Sequence, residues 1–228
     1  MIPNPYPGIF IVFEGIDGCG KTEQLEKTFR WLSTNGAKGG AFLWNITKTE
    51  EPMPNSYFGK KIRQELKRVN GLHRTNPFGF QAWFACDSKE HLRRVIIPNL
   101  KAQRSIVLSD RFRPSMVYGD RFIGDLEKLM EMNRQIIGED FIWPDAILIF
   151  DVSIPTAMER LKKRAKKLDG HEREVLLKAV ATRYRTFAKT YPNCHLIDAN
   201  GTSEEVFEEV KKVILLTINQ KEQENDDN

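Results

Sequence analysis

The sequence predicts an α/β fold in which a parallel sheet of about five strands lies between layers of helices. Short apolar runs, such as residues 9–13 and 146–150, have the length and composition of buried strands. Longer stretches with helical periodicity separate these runs, and strands that alternate with helices form parallel sheets covered on both faces. A glycine-rich segment follows the first run directly, where a strand turns into a helix.

The apolar runs and the helical end signals predict the individual elements. Strands are predicted at residues 9–13, 41–44, 105–108, 146–150 and 194–197, and helices at 21–35, 78–101, 155–167 and 203 to about 219. The second helix contains Pro98, and the last begins with a capping box from Thr202 to Glu205. Residues 114–140 give no firm pattern. We expect one domain over residues 1–220, followed by a disordered acidic tail over 221–228.

Composition excludes several classes of function. The net charge of +4 is too mild to indicate a nucleic-acid partner, and no apolar run approaches a membrane span of roughly 20 residues. The three cysteines are far apart and form no Cys-x-x-Cys pair, so neither a zinc site nor a disulfide framework is predicted. The first residues carry prolines and no basic cluster, which is unlike a signal peptide and predicts a cytoplasmic protein.

Residues 15–22, GIDGCGKT, match the phosphate-binding pattern G-x-x-x-x-G-K-[ST] between a predicted strand and a predicted helix. The glycines let backbone N–H groups point inward around phosphate oxygens, and the helix N-terminus adds partial positive charge. Lys21 is expected to reach the β- and γ-phosphates, and the Thr22 hydroxyl to bind Mg²⁺. A three-layer P-loop NTPase fold is therefore predicted. Its expected triphosphate-binding residues are Gly15, Ile16, Asp17, Gly18, Cys19, Gly20, Lys21 and Thr22.

A second constellation stands at the end of the third predicted strand. Asp110 is placed to hold Mg²⁺ directly or through water, and Arg111 supplies a guanidinium fork for a second phosphate. GTPases, motors and small-molecule kinases share the P-loop. The guanine-reading segment Asn/Thr-Lys-x-Asp of GTPases has only a partial counterpart in residues 47–50, TKTE, which end in glutamate and come too early. A GTPase is therefore disfavoured.

Six segments spread along the chain carry a resemblance to a known family. They are FEGIDGCGKT (13–22), EEPMPNSYFGKKIRQEL (50–66), FQAWFACDSKEHLRRVIIPNLKAQRSIVLSDRF (80–112), WPDAILIFDVSIPTAMERLKKR (143–164), DGHERE (169–174) and LIDANGTSEEVFEEV (196–210). In these segments and in their order, over nearly its whole length, the chain resembles thymidylate kinases. After the P-loop no single segment is strongly diagnostic, but the ordered set is.

The resemblance implies that ATP donates its γ-phosphoryl group to a nucleoside monophosphate, dTMP giving dTDP in the family, with Mg²⁺ as cofactor. Because the acceptor phosphate is already anionic, no strong base is required, and catalysis is mostly alignment and charge stabilisation. By the resemblance, Arg111 clamps the acceptor phosphate, Asp17 approaches the sugar 3′-hydroxyl, and Phe84 stacks on the acceptor base. The implied catalytic residues are Lys21, Arg111, Arg173 and Asp17. The implied acceptor site comprises Asp17, Glu51, Pro52, Arg63, Phe84, Ser88, Arg111, Ser115 and Tyr118, and the implied metal-binding residues are Thr22 and Asp110.

The resemblance also implies a helical lid, at about residues 164–175, that closes over the phosphates. Some family members carry an arginine inside the P-loop, where this chain has Gly18; members without it place the catalytic arginine in the lid. Arg173 is the leading candidate here, followed by Lys166 and Lys167. Arg164 matches the arginine that packs against adenine, so it belongs to the implied ATP site. Family members are commonly homodimers, which implies a homodimer.

The chain departs from the family pattern on the acceptor side. The long helix usually carries Phe-x-x-x-Arg, whose arginine reads the thymine edge, and here that position is Ser88. The usual arginine before Glu51-Pro52 is Glu50, and Tyr118 stands one position early in its segment. A site that loses a hydrogen bond to a base edge discriminates less well. Arg113 and Arg63 are candidates to compensate.

Three hypotheses therefore stay open from the sequence. The first is a thymidylate kinase-like enzyme. The second is a kinase of another monophosphate or of deoxynucleosides, and the latter would need Glu14 as the base for the 5′-hydroxyl proton. The third is a nucleotide-binding protein with a regulatory output and weak catalysis.

Replacing Arg173 tests the implied lid arginine. We expect Arg173→Ala to lower kcat about a hundredfold or more and to leave ATP binding nearly unchanged, because the group acts mainly in the transition state. Steady-state kinetics and calorimetry with ATP check this. An unchanged kcat would remove Arg173 from the catalytic residues.

Overall fold

The computed structural model describes residues 2–35, 44–119, 124–164 and 170–226, and only the backbone of residues 35, 164 and 170–173. Across these residues, five parallel strands form one sheet in the order β2-β3-β1-β4-β5. The strands are β1 (Ile9–Gly15), β2 (Asn45–Glu50), β3 (Ser105–Asp110), β4 (Ala146–Asp151) and β5 (Cys194–Asp198). The predicted α/β architecture is confirmed.

Helices flank the sheet and complete the core. The helices are α1 (Lys21–Asn35), α2 (Tyr57–Glu65), α3 (Leu72–Thr75), α4 (Pro77–His91), α5 (Ile97–Leu100), α6 (Leu126–Ile137), α7 (Ile154–Arg164), α8 (Gly170–Thr190) and α9 (Ser203–Asp226). Short 3₁₀ turns occupy Arg113–Met116 and Gly138–Asp140. All seven residues of β1 are buried, because this central strand has a neighbour on each side. No described helix is long and apolar enough to cross a membrane.

The strand register gathers the predicted site at one edge of the sheet. Phe13 in β1 pairs with Asp110 at the end of β3, and Gly15 pairs with Phe150 near the end of β4. In parallel strands the carboxyl ends point the same way. The loop after Gly15 and the residues after Asp110 therefore open into one crevice, where ligands bind in open α/β sheets.

The second strand lies later than its predicted position. The apolar residues 41–44 were the predicted strand, whereas β2 runs over the mostly polar Asn45–Glu50; residues 41–43 lie outside the described residues. This strand forms the sheet edge and pairs only with β3. Its side chains are exposed or half-buried, so the strand does not need an apolar sequence.

The long predicted helix over residues 78–101 is interrupted as expected near Pro98. The regular helix ends at His91, and Leu92–Ile96 form a π-helical turn in which the Ile97 N–H donates to the Leu92 carbonyl. Proline lacks an N–H and its ring clashes with the carbonyl four residues earlier. A widened turn just before Pro98 removes that conflict without ending the helical path.

The C-terminal tail is helical through Asp226, in contrast to the predicted disorder. The capping box forms, because the Thr202 N–H donates to Glu205 Oε2 at 2.8 Å and the Glu205 N–H donates to Thr202 Oγ1 at 3.3 Å. Helix α9 then continues through Asp226, so residues 221–226 are not disordered. Buried Lys221 explains this: its Nζ lies 3.3 Å from Asp145 Oδ1 and donates to the Asn4 carbonyl at 3.0 Å.

We expect Lys221→Met to lower the free energy of unfolding by about 3 kcal/mol, because Asp145 is left as a buried carboxylate without its cation. Chemical denaturation measures the change. Lys212→Met is the control, since Lys212 forms an exposed pair with Glu209, and it should stay within about 0.5 kcal/mol of the wild type. Equal stability of both variants would contradict an anchoring role for Lys221.

Candidate active site

The P-loop has the backbone conformation that its glycines predict. Gly18 and Gly20 have φ angles of +84° and +93°, which side chains with a Cβ rarely adopt. A Cβ on Gly18 would also lie 2.6 Å from the Ala157 carbonyl oxygen. Helix α1 begins at Lys21, so its first N–H groups face the loop. The loop and the helix N-terminus together form an anion site.

Asp110 lies against both functional side chains of the P-loop. The Thr22 hydroxyl donates to Asp110 Oδ2 at 2.8 Å, and Lys21 Nζ lies 3.4 Å from Asp110 Oδ1. The predicted pairing of the loop with the end of the third strand is therefore present in the structure. These contacts hold the side chains of Lys21 and Thr22 against the end of β3.

The oxygen atoms of Thr22 and Asp110 fit a magnesium ion. Mg²⁺ prefers hard oxygen donors and usually takes only one or two from the protein, the remainder coming from phosphates and water. Asp110 Oδ1 is buried and accepts no hydrogen bond from the described residues, although the lysine is near. Nowhere in the described residues do three or more His, Cys, Asp or Glu side chains form a metal-binding group. The chemistry therefore favours a shared metal–phosphate site over an all-protein cage.

Arg111 connects the P-loop with the neighbouring cavity. Its guanidinium donates to Asp17 Oδ1 at 2.9 Å and to the Gly15 carbonyl at 3.4 Å, both within the P-loop. Its Cζ lies 5.2 Å from the centre of the Tyr118 ring. Burial by itself lowers the pKa of Arg111, but Tyr118, Tyr184, Glu14 and Asp17 outweigh it and raise the pKa well above its usual value. Arg111 is therefore a fixed cation beside the phosphate site.

Glu14, the residue before the P-loop, is completely buried and surrounded by donors. It accepts hydrogen bonds from the Phe112 N–H at 2.8 Å, from the Tyr184 hydroxyl at 2.7 Å, and from both the N–H and the hydroxyl of Ser115. Arg111 Nη1 lies 3.8 Å away. Burial raises the pKa of Glu14, and these donors oppose the shift.

This environment removes Glu14 as a general base. Both carboxylate oxygens already accept hydrogen bonds, the side chain has no exposed surface, and Glu14 does not belong to the described lining of the cavity. A base must reach the proton that it abstracts, directly or through one water. The deoxynucleoside kinase hypothesis therefore loses the residue on which it depended.

A cavity of about 320 Å³ lies beside Arg111, on the side predicted for the acceptor. Its described lining comprises Asp17, Glu51, Pro52, Leu66, Gln81, Phe84, Ser88, Arg111, Phe112, Arg113, Ser115, Met116, Tyr118 and Asn133. Of the acceptor residues implied by the sequence, Arg63 alone is missing from this lining. Arg63 instead donates to the Pro52 carbonyl and to Glu50, so it stabilises the segment that contains the lining residue Pro52.

The sequence interpretation did not name Gln81 or Asn133 as site residues, although one of the two could have been predicted. Gln81 lies three and seven residues before Phe84 and Ser88 on helix α4, so helical spacing alone places all three on one face. Asn133 lies on α6, in the segment 114–140, where no firm pattern is recognisable in the sequence. Only the tertiary packing of α6 against α4 brings Asn133 to the cavity.

A buried histidine fixes the position of Glu51. His91 is fully buried, with Nδ1 3.0 Å from Glu51 Oε1 and Nε2 2.6 Å from Thr49 Oγ1. One turn earlier on the same helix, Asp87 accepts hydrogen bonds from the Met53 N–H at 2.8 Å and from the Ser56 hydroxyl. The long helix therefore holds the segment after β2 as a wall of the cavity. Neither contact is predictable from a local sequence pattern.

A second cleft, of about 370 Å³, lies on the other side of the P-loop, between α7 and the start of α9. Arg160 lies in it, 3.4 Å from the Cys19 and Gly201 carbonyl oxygens, to which it donates. The side chains of the predicted residues Arg164 and Arg173 lie outside the described residues, as do Lys166 and Lys167 entirely.

Comparison with known proteins agrees with this geometry. A family model described as thymidylate kinase matches residues 13–210. The chain belongs to the thymidylate kinase family. The thymidylate kinases of Caldicellulosiruptor saccharolyticus and Mesoplasma florum are 33% and 35% identical to it, over 91% and 92% of this chain and 96% of each relative. The crystal structure of thymidylate kinase from Ehrlichia chaffeensis matches with a TM-score of 0.65 and 27% identity, covering 91% of this chain and 98% of that chain.

As a member of the thymidylate kinase family, the chain is an ATP-dependent phosphotransferase. Its P-loop, Asp110 and Arg111 occupy one crevice, as the resemblance implied. Ser88, where the sequence departs from the pattern that it resembles, lines the cavity beside Arg111, with its hydroxyl buried and without a hydrogen-bond partner in the described structure. The departure therefore affects the site itself and not a remote surface.

We expect Glu14→Gln to lower the free energy of unfolding by about 2–3 kcal/mol, because the new amide group would face N–H and O–H donors inside the protein. Urea denaturation measures this, with the exposed Glu209→Gln as a control. A variant of normal stability that loses only its chemical step would instead restore Glu14 as a catalytic base.

Proposed function

We propose that this chain transfers the γ-phosphoryl group of ATP to dTMP and forms dTDP, in the manner of a thymidylate kinase. The observation that carries the proposal is the position of Arg111. Its guanidinium donates to Asp17 and to the Gly15 carbonyl of the P-loop, and it also lines the neighbouring cavity. A cation between a donor-phosphate loop and an organic pocket is what transfer between two phosphates requires.

On the donor side, Lys21 and the amides of the loop bind the β- and γ-phosphates. Thr22 and Asp110 hold the magnesium ion, which neutralises charge developing on the transferring group when it is bound. In this proposal Arg164 packs on the adenine. Arg160 lines the cleft on the other side of the P-loop. Arg173, in a lid at about residues 164–175, supplies the catalytic arginine on closure and excludes water.

On the acceptor side, Arg111 binds the acceptor phosphate and Asp17 accepts a hydrogen bond from the 3′-hydroxyl. Phe84 stacks on the base, with its ring supported edge-on by Phe80 at a centroid distance of 5.3 Å. Glu51 and Pro52 shape the wall, and Ser88, Ser115 and Tyr118 complete it. Since the acceptor phosphate is itself the nucleophile, no residue has to remove a proton, which agrees with the engagement of Glu14 by four donor groups.

We also propose a cytoplasmic homodimer that binds nucleotides and neither nucleic acid nor a membrane. The free cysteines Cys19, Cys86 and Cys194 are usual for a reducing compartment. Exposed apolar side chains on and near α2, namely Tyr57, Leu66 and Val69, offer a surface for a second copy. Sedimentation equilibrium decides the oligomeric state.

A panel of acceptors tests the proposal. We expect ADP release from ATP–Mg²⁺ with dTMP and not with deoxynucleosides, and no release after the metal is removed by a chelator. A coupled assay for ADP, with nucleosides and monophosphates as separate acceptors, measures this.

Two outcomes would contradict the proposal. Turnover of nucleosides alone would indicate a deoxynucleoside kinase. Tight ATP binding in calorimetry without turnover of any acceptor would indicate a regulatory nucleotide-binding protein.

A further inference from the structure

Arg111 has a backbone conformation that is unusual for a residue with a side chain. Its φ angle of +72° lies in the left-handed region, which such a residue keeps only where its surroundings hold it. The Arg111 N–H donates to the Phe13 carbonyl at 2.9 Å, and the Arg111 carbonyl accepts from the Ser109 hydroxyl at 2.7 Å. The two central strands therefore fix the main chain of Arg111, and separate contacts fix its guanidinium.

The two terminal nitrogens of the Arg111 guanidinium have different partners. Nη2 donates to the carboxylate of Asp17 at 2.9 Å, which is a charge-assisted hydrogen bond. Nη1 donates to neutral oxygens, among them the hydroxyls of Ser115 at 3.2 Å and Tyr184 at 3.4 Å. Glu14 Oε2 lies 3.8 Å from Nη1, beyond hydrogen-bond distance. Nη1 is therefore held close to a buried carboxylate without bonding to it.

The hydroxyls of Tyr184 and Ser115 separate this cation from the anion. Tyr184 donates its single hydroxyl hydrogen to Glu14 Oε2 at 2.7 Å, so toward Arg111 its oxygen acts as the acceptor. The Ser115 hydroxyl bridges the same two groups, since it donates to Glu14 Oε2 at 2.9 Å. Burial, with the charge of Glu14 adding to it, raises the pKa of Tyr184 well above its usual value. The Tyr184 hydroxyl therefore keeps the proton that it donates.

Without a bridging hydroxyl, the two charges would move together. Opposite charges attract strongly where little water separates them. Nη1 needs to approach Glu14 by only about 1 Å to form a direct charge-assisted hydrogen bond. Arg111 lines the cavity and Glu14 does not belong to its described lining, so this movement would take the guanidinium away from a ligand there. The bridging hydroxyls therefore keep Arg111 available to the cavity.

Tyr184 is itself held in place, at a point remote in sequence from the P-loop. It lies on α8 with 2% of its surface exposed, and its ring meets the Tyr118 ring edge-on at a centroid distance of 6.3 Å. The next residue, Arg185, donates to both carboxylate oxygens of Asp151 at 2.8 Å, at the end of β4. Tyr184 does not belong to the described lining of the cavity, so its influence on a ligand there is indirect.

We propose that Tyr184 is a positioning residue for phosphoryl transfer. With Ser115, its hydroxyl keeps the Arg111 guanidinium apart from Glu14 and directed toward the acceptor phosphate. The inference rests on the proposed function, in which Arg111 binds that phosphate. It adds a residue to which the resemblance assigns no role, on a helix that follows the P-loop by about 150 residues.

Tyr184→Phe tests the proposal, because it removes the hydroxyl and keeps the buried ring. We expect the affinity for dTMP, measured by calorimetry, to fall about tenfold, which is the size of one lost hydrogen bond to a charged group. The affinity for thymidine should change less than about twofold, because thymidine has no phosphate for Arg111 to bind. In steady-state kinetics, kcat/KM for dTMP should fall by at least the same factor while KM for ATP stays unchanged.

Thr217→Val is the matched control for the loss of a buried hydroxyl. Thr217 lies on α9, outside the described lining of both clefts, and its hydroxyl donates to the Val213 carbonyl at 2.9 Å. This variant should leave the affinities for dTMP and thymidine unchanged.

Two further variants keep the test decisive if Tyr184→Phe folds poorly and show where the effect acts. Ser115→Ala removes the second bridging hydroxyl and should cause the same selective loss of dTMP affinity. A double-mutant cycle with Arg111→Lys measures the coupling between the two positions. In the Arg111→Lys background, Tyr184→Phe should lower the dTMP affinity by less than about threefold, because the group that it positions is gone.

The outcomes separate this inference from the proposed function. If the wild type turns over no dTMP, or binds dTMP no more tightly than thymidine, the proposed function fails. If the wild type prefers dTMP and Tyr184→Phe keeps that preference in full, the role of Tyr184 is overturned, as it is by the same result with Ser115→Ala. Equal loss of dTMP and thymidine would also overturn it, because a merely structural residue lowers both. An undiminished effect of Tyr184→Phe beside Arg111→Lys would overturn the action through Arg111.

Discussion

The interaction on which the site depends is the buried carboxylate of Glu14. Glu14 is the penultimate residue of the central strand, just before the P-loop, and accepts hydrogen bonds from the segment after β3 and from Tyr184 of α8. Arg111 Nη1 lies 3.8 Å away as the counter-charge. Removing a charge from water is costly unless donors surround it. The carboxylate therefore fixes three chain segments relative to one another: the end of β1, the segment after β3, and helix α8. Arg111 belongs to the second of these segments and lies between the P-loop and the neighbouring cavity.

The two acidic groups at this edge of the sheet have different surroundings and therefore different chemistry. Glu14 has no exposed surface and both its oxygens are engaged. Asp110, at the end of the neighbouring strand, engages Thr22 and Lys21 but keeps one oxygen without a hydrogen bond from the described residues. The Glu14 carboxylate has a structural role, whereas the Asp110 carboxylate is available to bind a hard cation. In the sequence both are simply acidic residues near strand ends, and only the hydrogen-bond donors around each carboxylate in the structure distinguish their roles.

The sequence predicted the elements whose cause is local. The glycines of the P-loop, the start of α1 at Lys21 and the capping box at Thr202 follow from backbone and capping chemistry. The β2 strand was misplaced because an edge strand needs no apolar run. The helical tail was missed because its stabilisation comes from the distant contact of Lys221 with Asp145. Most of the residues that line the cavity beside Arg111 were predicted from the resemblance. The position of Asn133 and the His91–Glu51 contact were not, because they depend on tertiary packing that no local pattern encodes.

The sequence departs from the pattern that it resembles within the cavity and not on a remote surface. In the described structure, Ser88 Oγ and the Nε and Nη2 atoms of Arg113 are buried without a hydrogen-bond partner, and both residues belong to the lining of the cavity. Arg113 is nevertheless held in place, since its Nη1 donates to the Ile142 carbonyl at 2.6 Å. Burying polar groups without partners is costly, and more so for a charged group. Packing alone would favour apolar side chains at these two positions, so their polarity is not explained by the stability of the fold.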